Sequence, residues 1–215
     1  QAGTSHFPDP KSLWNMNTMT KLSRADLYSL EEYSEIRDEF RARVMEHKKN
    51  RRLDIGDNLV LLFEDRLVMH YQIQEMLKAE KIFDADGIQE ELDAYNPLIP
   101  DGTNWKATMM IQYADVAERQ QMLAKLVGIE NRVWLRVGNH DKVYPIADED
   151  LERATDDKTS AVHFLRFELI PAMIADIHKG SSISAGVDHE NYNVTLDAIP
   201  DNVAKSLAED LEIIQ

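Results

Sequence analysis

The chain has 215 residues, 43% of them hydrophobic and 29% charged, which suits one globular core with at most one appendage. A formal charge of −15 sets its surface against polyphosphates and anionic lipid, and the lack of cysteine removes disulfides, thiolate metal sites and cysteine nucleophiles. No apolar run approaches the roughly 18–20 residues of a membrane span and no apolar signal core follows the N-terminus, so the expectation is a cytoplasmic protein that binds neither nucleic acid nor membrane.

Residues 1–18 are polar, lack periodicity and carry Pro8 and Pro10. They read as a vector-derived or flexible tail, with docking through Phe7, Leu13 and Trp14 as the alternative; residues 19–215 read as a single α+β domain. Ser23 with Asp26, and Leu22 with Leu27 as a hydrophobic staple, predict the start of a long N-terminal helix running to about Lys49. Its apolar stripe is Leu27, Leu30, Tyr33, Ile36, Phe40 and Val44. The cations from Arg41 to Arg52 suit its C-terminal end, where they complement the macrodipole, with an anion or acidic-partner site as the alternative. Gly56 and Asp57 turn the chain into an apolar strand from Leu59 to Phe63. A second helix is expected from Arg66 to Ile82, burying Met69, Ile73, Met76 and Leu77, and a short one over residues 88–95. Pro97 and Pro100 stiffen the loop from Tyr95 to Gly102.

Trp105 to Tyr113 alternates as a half-buried strand does. Asp115 and Glu118 cap a helix that Gly128 stops. Val133 to Val137 is a strand, and Lys142 to Ile146 is expected to pair back on it as a hairpin after the turn at Gly138 to Asp141. Asp148 to Lys158 is a charged helix or loop. Ala161 to Ile170 reads as a strand, Pro171 to Lys179 as a helix with proline at its first position, Ile183 to Val187 as a strand, and Pro200 to Ile214 as an amphipathic helix. Short connections and half-polar strands give an α+β fold: a mixed or mainly antiparallel sheet with helices packed on it.

His163 alternates with Leu165, Phe167 and Leu169, which points it into the core as a hydrogen-bonded neutral histidine. Its chemical alternative is a two-histidine, one-carboxylate set with Asp188 and His189, suited to iron, manganese or zinc. Asp188 and His189 are consecutive on a strand, so only one of them can join His163 unless a turn intervenes. Glu32, Glu35, Glu39, Glu75 and Glu80 lack the Glu-x-x-His pairing of di-iron bundles and read as solvated faces. Gly138-Asn139-His140-Asp141 is spelled like a phosphoesterase metal motif but lacks the companion motifs. There is no Gly-x-Ser-x-Gly elbow, P-loop or dinucleotide fingerprint.

Several segments occur in order: Leu30-Glu31-Glu32-Tyr33, Arg37-Asp38-Glu39-Phe40-Arg41, Phe63-Glu64-Asp65-Arg66-Leu67, Tyr71 to Leu77, Glu90 to Pro100, Val162 to Phe167 and Gly186 to His189. Through them the chain, from Met19 onward, resembles a bacterial family catalogued as domain of unknown function 3501. Such proteins are often encoded beside a rubrerythrin-like protein and an iron–sulfur oxidoreductase, so the resemblance implies a redox or oxidative-stress setting; it assigns no catalytic residue. The leading expectation is a non-catalytic accessory protein that binds such a partner through the first two helices and the Tyr95–Gly102 loop. Its contacts would be Arg37, Arg41, Tyr71, Gln74, Glu75, Tyr95 and Asn96. The alternatives are a metal-dependent redox enzyme using His163 and His189 with a carboxylate, and a small-molecule binding domain with its pocket under that loop. Homo-oligomerisation stays open.

Overall fold

The computed structural model describes residues 19–212, so the expectations for residues 1–18 lie outside the described residues. The first half of the chain runs α1 (Leu30–Lys48), β1 (Arg52–Asp54), β2 (Leu59–Glu64), α2 (Arg66–Glu80), α3 (Ala85–Tyr95) and β3 (Asn104–Ile111). The second half runs α4 (Val116–Lys125), β4 (Val133–Val137), β5 (Ile146–Ala147), β6 (Val162–Glu168), α5 (Pro171–His178), β7 (Ile183–His189), β8 (Tyr192–Leu196) and α6 (Asp201–Ala208).

The strands form two sheets, a five-stranded one in the order β1-β2-β3-β6-β5 and a three-stranded one in the order β4-β7-β8. Every pairing is antiparallel. The α+β expectation therefore holds, in its antiparallel form. Period-2 alternation sets the register: Leu61 lies opposite Met109, which lies opposite His163, and the next inward row joins Phe63, Ala107 and Leu165. These rows share one core with Val133, Leu135 and Val137 of β4, with Ile183, Ala185 and Val187 of β7, and with α5 and α6. The Trp105 indole N–H donates to the Leu207 carbonyl at 2.9 Å and fixes α6 against β3. Gly186 is required by close approach: a Cβ there would lie 2.4 Å from Cζ2 of Trp134 on the neighbouring strand.

The helices α1, α2 and α3 form a layer with its own apolar interior. One cluster holds Leu22, Val68, Met69, Ile73, Leu77, Leu92 and Ile99. The other holds Tyr33, Phe40, Val44 and Tyr71.

The structure corrects the sequence reading at four places. Ser23 and Asp26 form their capping box, but on a 3-10 turn, Arg24–Asp26, which ends at an extended Leu27. The long helix starts at Leu30, where Ser29 and Glu32 make a second capping box. Val143 bridges Leu135, but Ile146 and Ala147 pair with Arg166 and Leu165 of β6, so the expected hairpin is split between two sheets. The last helix ends at Ala208, short of the expected Ile214, and β1 and β8 are short edge strands whose polar alternation left little apolar signal; residues 148–158 are a loop, one of the two forms expected.

Candidate functional site

His163 sits in the inward row of β6 and is 0% exposed. Its Nδ1–H donates to Asp148 Oδ2 at 2.6 Å. Its Nε2 lies 2.7 Å from the Thr159 hydroxyl and 3.1 Å from the Ser160 carbonyl oxygen. The other oxygen of Asp148 accepts the Phe164 N–H at 2.9 Å and lies 3.3 Å from an Arg153 nitrogen. Asp148 holds this position with φ of 51°, a left-handed conformation that aspartate tolerates better than most residues. Threonine, histidine and aspartate follow one another as in a nucleophilic triad. Thr159 is only 2% exposed, however, so no substrate carbonyl reaches its hydroxyl, and the chain of bonds braces the loop over residues 148–160 against β6.

The sheet places Asp188 and His189 elsewhere. His189 donates from Nε2 to the Val127 carbonyl at 3.1 Å, and its Nδ1 accepts the Asn191 N–H at 3.1 Å. Asp188 points the other way, as alternation requires, and accepts from the Trp134 indole at 3.0 Å, Lys142 at 2.9 Å and the Tyr144 hydroxyl at 2.5 Å. Partial burial pushes the Asp188 carboxyl up, and the bonds from Tyr144, Lys142 and Trp134 outweigh it, holding the group below the usual carboxylate range. The structure does not bring His163, Asp188 and His189 together, and among the described residues no three histidines or carboxylates are arranged to hold a metal ion. His140 is also engaged, with its Nε2 2.9 Å from Asp176.

A second ionic cluster joins the start of β1 and the end of β2 to the end of α6. Arg51, 2% exposed, forms a fork-to-fork pair with Asp210 at 2.7 and 3.1 Å and donates to the Phe63 and Glu64 carbonyls. Asp65 caps α2 through the Val68 N–H and lies 2.5 Å from His47 Nε2. Burial pushes Asp65 up, but His47 and Arg51 beside it hold it below its ordinary value. Burial raises the neighbouring Glu64 carboxyl, which accepts from Thr108 at 2.6 Å.

The side chains expected to face a partner mostly tie the helical layer together. Glu75 accepts the Tyr33 hydroxyl at 2.6 Å and both arms of Arg37 at 2.8 Å. Gln74 is fully buried and exchanges hydrogen bonds with the backbone of Tyr28 at 2.7 and 3.3 Å. Asn96 does the same with Leu22, both at 2.8 Å. Tyr71 is buried, Tyr95 is half-buried, and Arg41 is the one fully exposed member of the seven. Beneath the Tyr95–Gly102 loop Ile99 is fully buried, and the Ile99 and Pro97 carbonyls accept from Lys21 and Lys106. His70 is sealed in the same layer. The Tyr28 ring stacks on it at 5.7 Å, Phe40 meets it edge-on at 5.2 Å, and its Nε2 has no hydrogen-bond partner. Burial depresses its pKa to about 4.

One face of this layer is open. A groove of about 370 Å³ runs between residues 24–32 and the α2–α3 junction, with Leu27, Tyr28, Leu30, Leu77, Ile82 and Ile88 in its walls. Phe83, also in its lining, is 78% exposed. Lys81, at φ of 54°, ends α2 in a left-handed turn that carries Phe83 outward, and Asp84 caps α3 immediately after it. The sequence reading missed this site. Its one signal was an aromatic beside isoleucine inside an acidic run, Ile82-Phe83-Asp84.

A model of the family described as protein of unknown function (DUF3501) matches residues 21–211. The chain belongs to the DUF3501 family. A crystal structure of a novel protein of unknown function from Burkholderia pseudomallei K96243 is similar to it, with 55% identity and a TM-score of 0.85 over 90% of this chain and 100% of that one. No curated protein matches the chain. The DUF3501 match spans both sheets and the helical layer, so the buried ionic clusters and the groove all fall inside the family's shared segment. No helix among the described residues is long and apolar enough to cross a membrane.

Proposed function

We propose that this DUF3501 protein is a cytoplasmic, non-catalytic binding protein that serves a redox partner, and that the layer of α1, α2 and α3 is its contact surface. The observation that carries the reading is the open groove, walled by apolar side chains with Arg24, Ser29 and Glu32 among them, and Phe83 exposed beside it. Isolated exposed apolar residues are ordinary, whereas an exposed aromatic at the edge of an apolar groove is the arrangement of an interface anchor. The redox setting comes from the family resemblance, which points to a rubrerythrin-like or iron–sulfur protein as the partner. The acidic, cysteine-free composition suits a chain that carries no redox centre through thiolates and leaves electron transfer to what it binds.

The test is direct titration of the purified protein against a rubrerythrin-like protein of the kind often encoded beside members of the family. Micromolar or tighter binding, weakened about tenfold or more by Phe83→Ser, is expected. Absence of binding to that protein and to an iron–sulfur oxidoreductase of the same family setting would refute the redox reading.

A further inference from the structure

We infer that the groove between residues 24–32 and the α2–α3 junction takes an amphipathic helix whose apolar edge is flanked by lysines and arginines. This inference rests on the binding reading above and names the chemistry of the partner segment.

Three observations select that occupant. The first is the lining. The polar groups of Ser29 and Glu32, at the groove's edge, are spent on each other's backbone in the cap of α1. Arg24 is then the one charged lining group left to orient a small ligand, whereas a helix presents apolar side chains at i, i+3, i+4 and i+7 to the six aliphatic and aromatic walls. The second is the rim. Residues 24–39 carry six carboxylates against Arg24 and Arg37; Arg37 is already paired with Glu75 and Asp26 with Arg66, which leaves five carboxylates against Arg24. Residues 80–93 carry six carboxylates against Lys81. The groove thus lies between two acidic segments, and cations flanking an apolar edge would meet both. The third is the crowding of charge on α3. Partial burial pushes the Glu91 carboxyl above its ordinary value, and Glu80 and Glu90 add to the shift, so a cation arriving there relieves repulsion already present.

The same charges exclude the competing occupants. A second copy of the chain meeting this face with its own would oppose acidic rim to acidic rim, and nucleic acid or anionic lipid would be repelled. The fit of the groove depends on Gly87, where a Cβ would lie 2.7 Å from Cγ2 of Ile82; without one, Ile82 folds onto the first turn of α3 and forms the wall beside Phe83. Arg24 is the cation in the lining, and it opposes the proposed partner. Its reversal therefore supplies a variant that should gain affinity instead of losing it.

The probe is a synthetic leucine–lysine peptide of about 18 residues, roughly five helical turns, with leucines at i, i+3, i+4 and i+7. Its affinity for the whole protein is read by fluorescence anisotropy. Phe83→Ser is expected to weaken binding about tenfold and Arg24→Glu to tighten it about threefold. Raising salt from about 50 to about 500 mM should weaken it, because the rim carboxylates are exposed and screened. The remote pair Asp156→Lys, Asp157→Lys, in the exposed 148–158 loop, should leave it unchanged. Equal binding of a leucine–glutamate peptide, no response to Phe83→Ser, or a response to the remote pair as large as that at the groove would each overturn the inference. Those outcomes leave the redox-partner titration untouched. Capture of that partner with affinity insensitive to Phe83→Ser would move the contact to another surface, while a bound basic peptide without capture would sink only the redox assignment.

Discussion

His70 gives the helical layer a predictable acid sensitivity. The ring is 6% exposed, stacked on Tyr28 and met edge-on by Phe40, and its Nε2 lacks a partner. Burial lowers its pKa from 6.5 to about 4, because protonation would place a charge among aromatic rings. Between those values the unfolded chain binds a proton that the folded chain refuses. The stability this provides is complete above about pH 6.5 and is lost as pH falls toward about 4. The shift corresponds to about 3.4 kcal/mol in full, of which about 2.6 kcal/mol is lost at about pH 4.5. His70→Leu removes the titrating group and the unpartnered nitrogen, so at about pH 7 its stability should lie within about 1 kcal/mol of wild type. Urea unfolding of both proteins at about pH 7 and pH 4.5 isolates the term, since every other titrating group is common to them. The wild type should lose about 2.4 kcal/mol more than the variant over that interval, since about 0.2 kcal/mol is already lost at about pH 7. Equal losses in the two proteins would refute the assignment of a buried, neutral His70.

Breaking the buried pair with Arg51→Met leaves Asp210 and Asp65 without their guanidinium and should cost about 3–5 kcal/mol in urea unfolding. Adding Asp210→Leu should restore a large part of that, because an apolar replacement of both partners is far less costly than one stranded charge; no recovery would show that the two do not act as a pair. His163→Gln should cost about 1–3 kcal/mol through lost bonds to Asp148 and Thr159. Elemental analysis of protein purified without an affinity tag checks the competing role: stoichiometric iron, manganese or zinc that disappears in both His163→Gln and His189→Ala would make these residues ligands.

What the sequence made legible follows from short-range patterns. Alternation placed His163 on the inward face of its strand, and the register beside Met109 agrees. It also placed Asp188 and His189 on opposite faces. The start of α1 was misplaced because two Ser-x-x-acid boxes, Ser23 to Asp26 and Ser29 to Glu32, lie six residues apart. Tertiary contact distinguishes them: Gln74 of α2 grips both backbone groups of Tyr28 and holds the chain there out of the helix. Asp148 as the partner of His163 was illegible for another reason. The two are fifteen residues apart across an irregular loop, and only the left-handed backbone at Asp148 aims its carboxylate at the ring.

The polar residues of the helical layer explain why its open face is apolar. Arg37, Gln74, Glu75 and Asn96 look on sequence like a recognition surface, but the first three are consumed in holding α1 and Tyr28 onto α2, and Asn96 in holding Leu22 to the end of α3. A buried amide or carboxylate left unpaired costs about 1–3 kcal/mol, so these bonds cannot be surrendered to a partner without weakening the layer. A partner would therefore use what the layer does not need for itself. The groove walls and Phe83 meet that description, since Phe83 is 78% exposed and bonded to nothing that holds the fold. The charged rim meets it too, because carboxylates such as Glu31, Glu35, Asp86 and Glu90 are exposed at the surface of α1 and α3. Affinity would then come from apolar burial in the groove, and discrimination between partners from the sign of the charge around it.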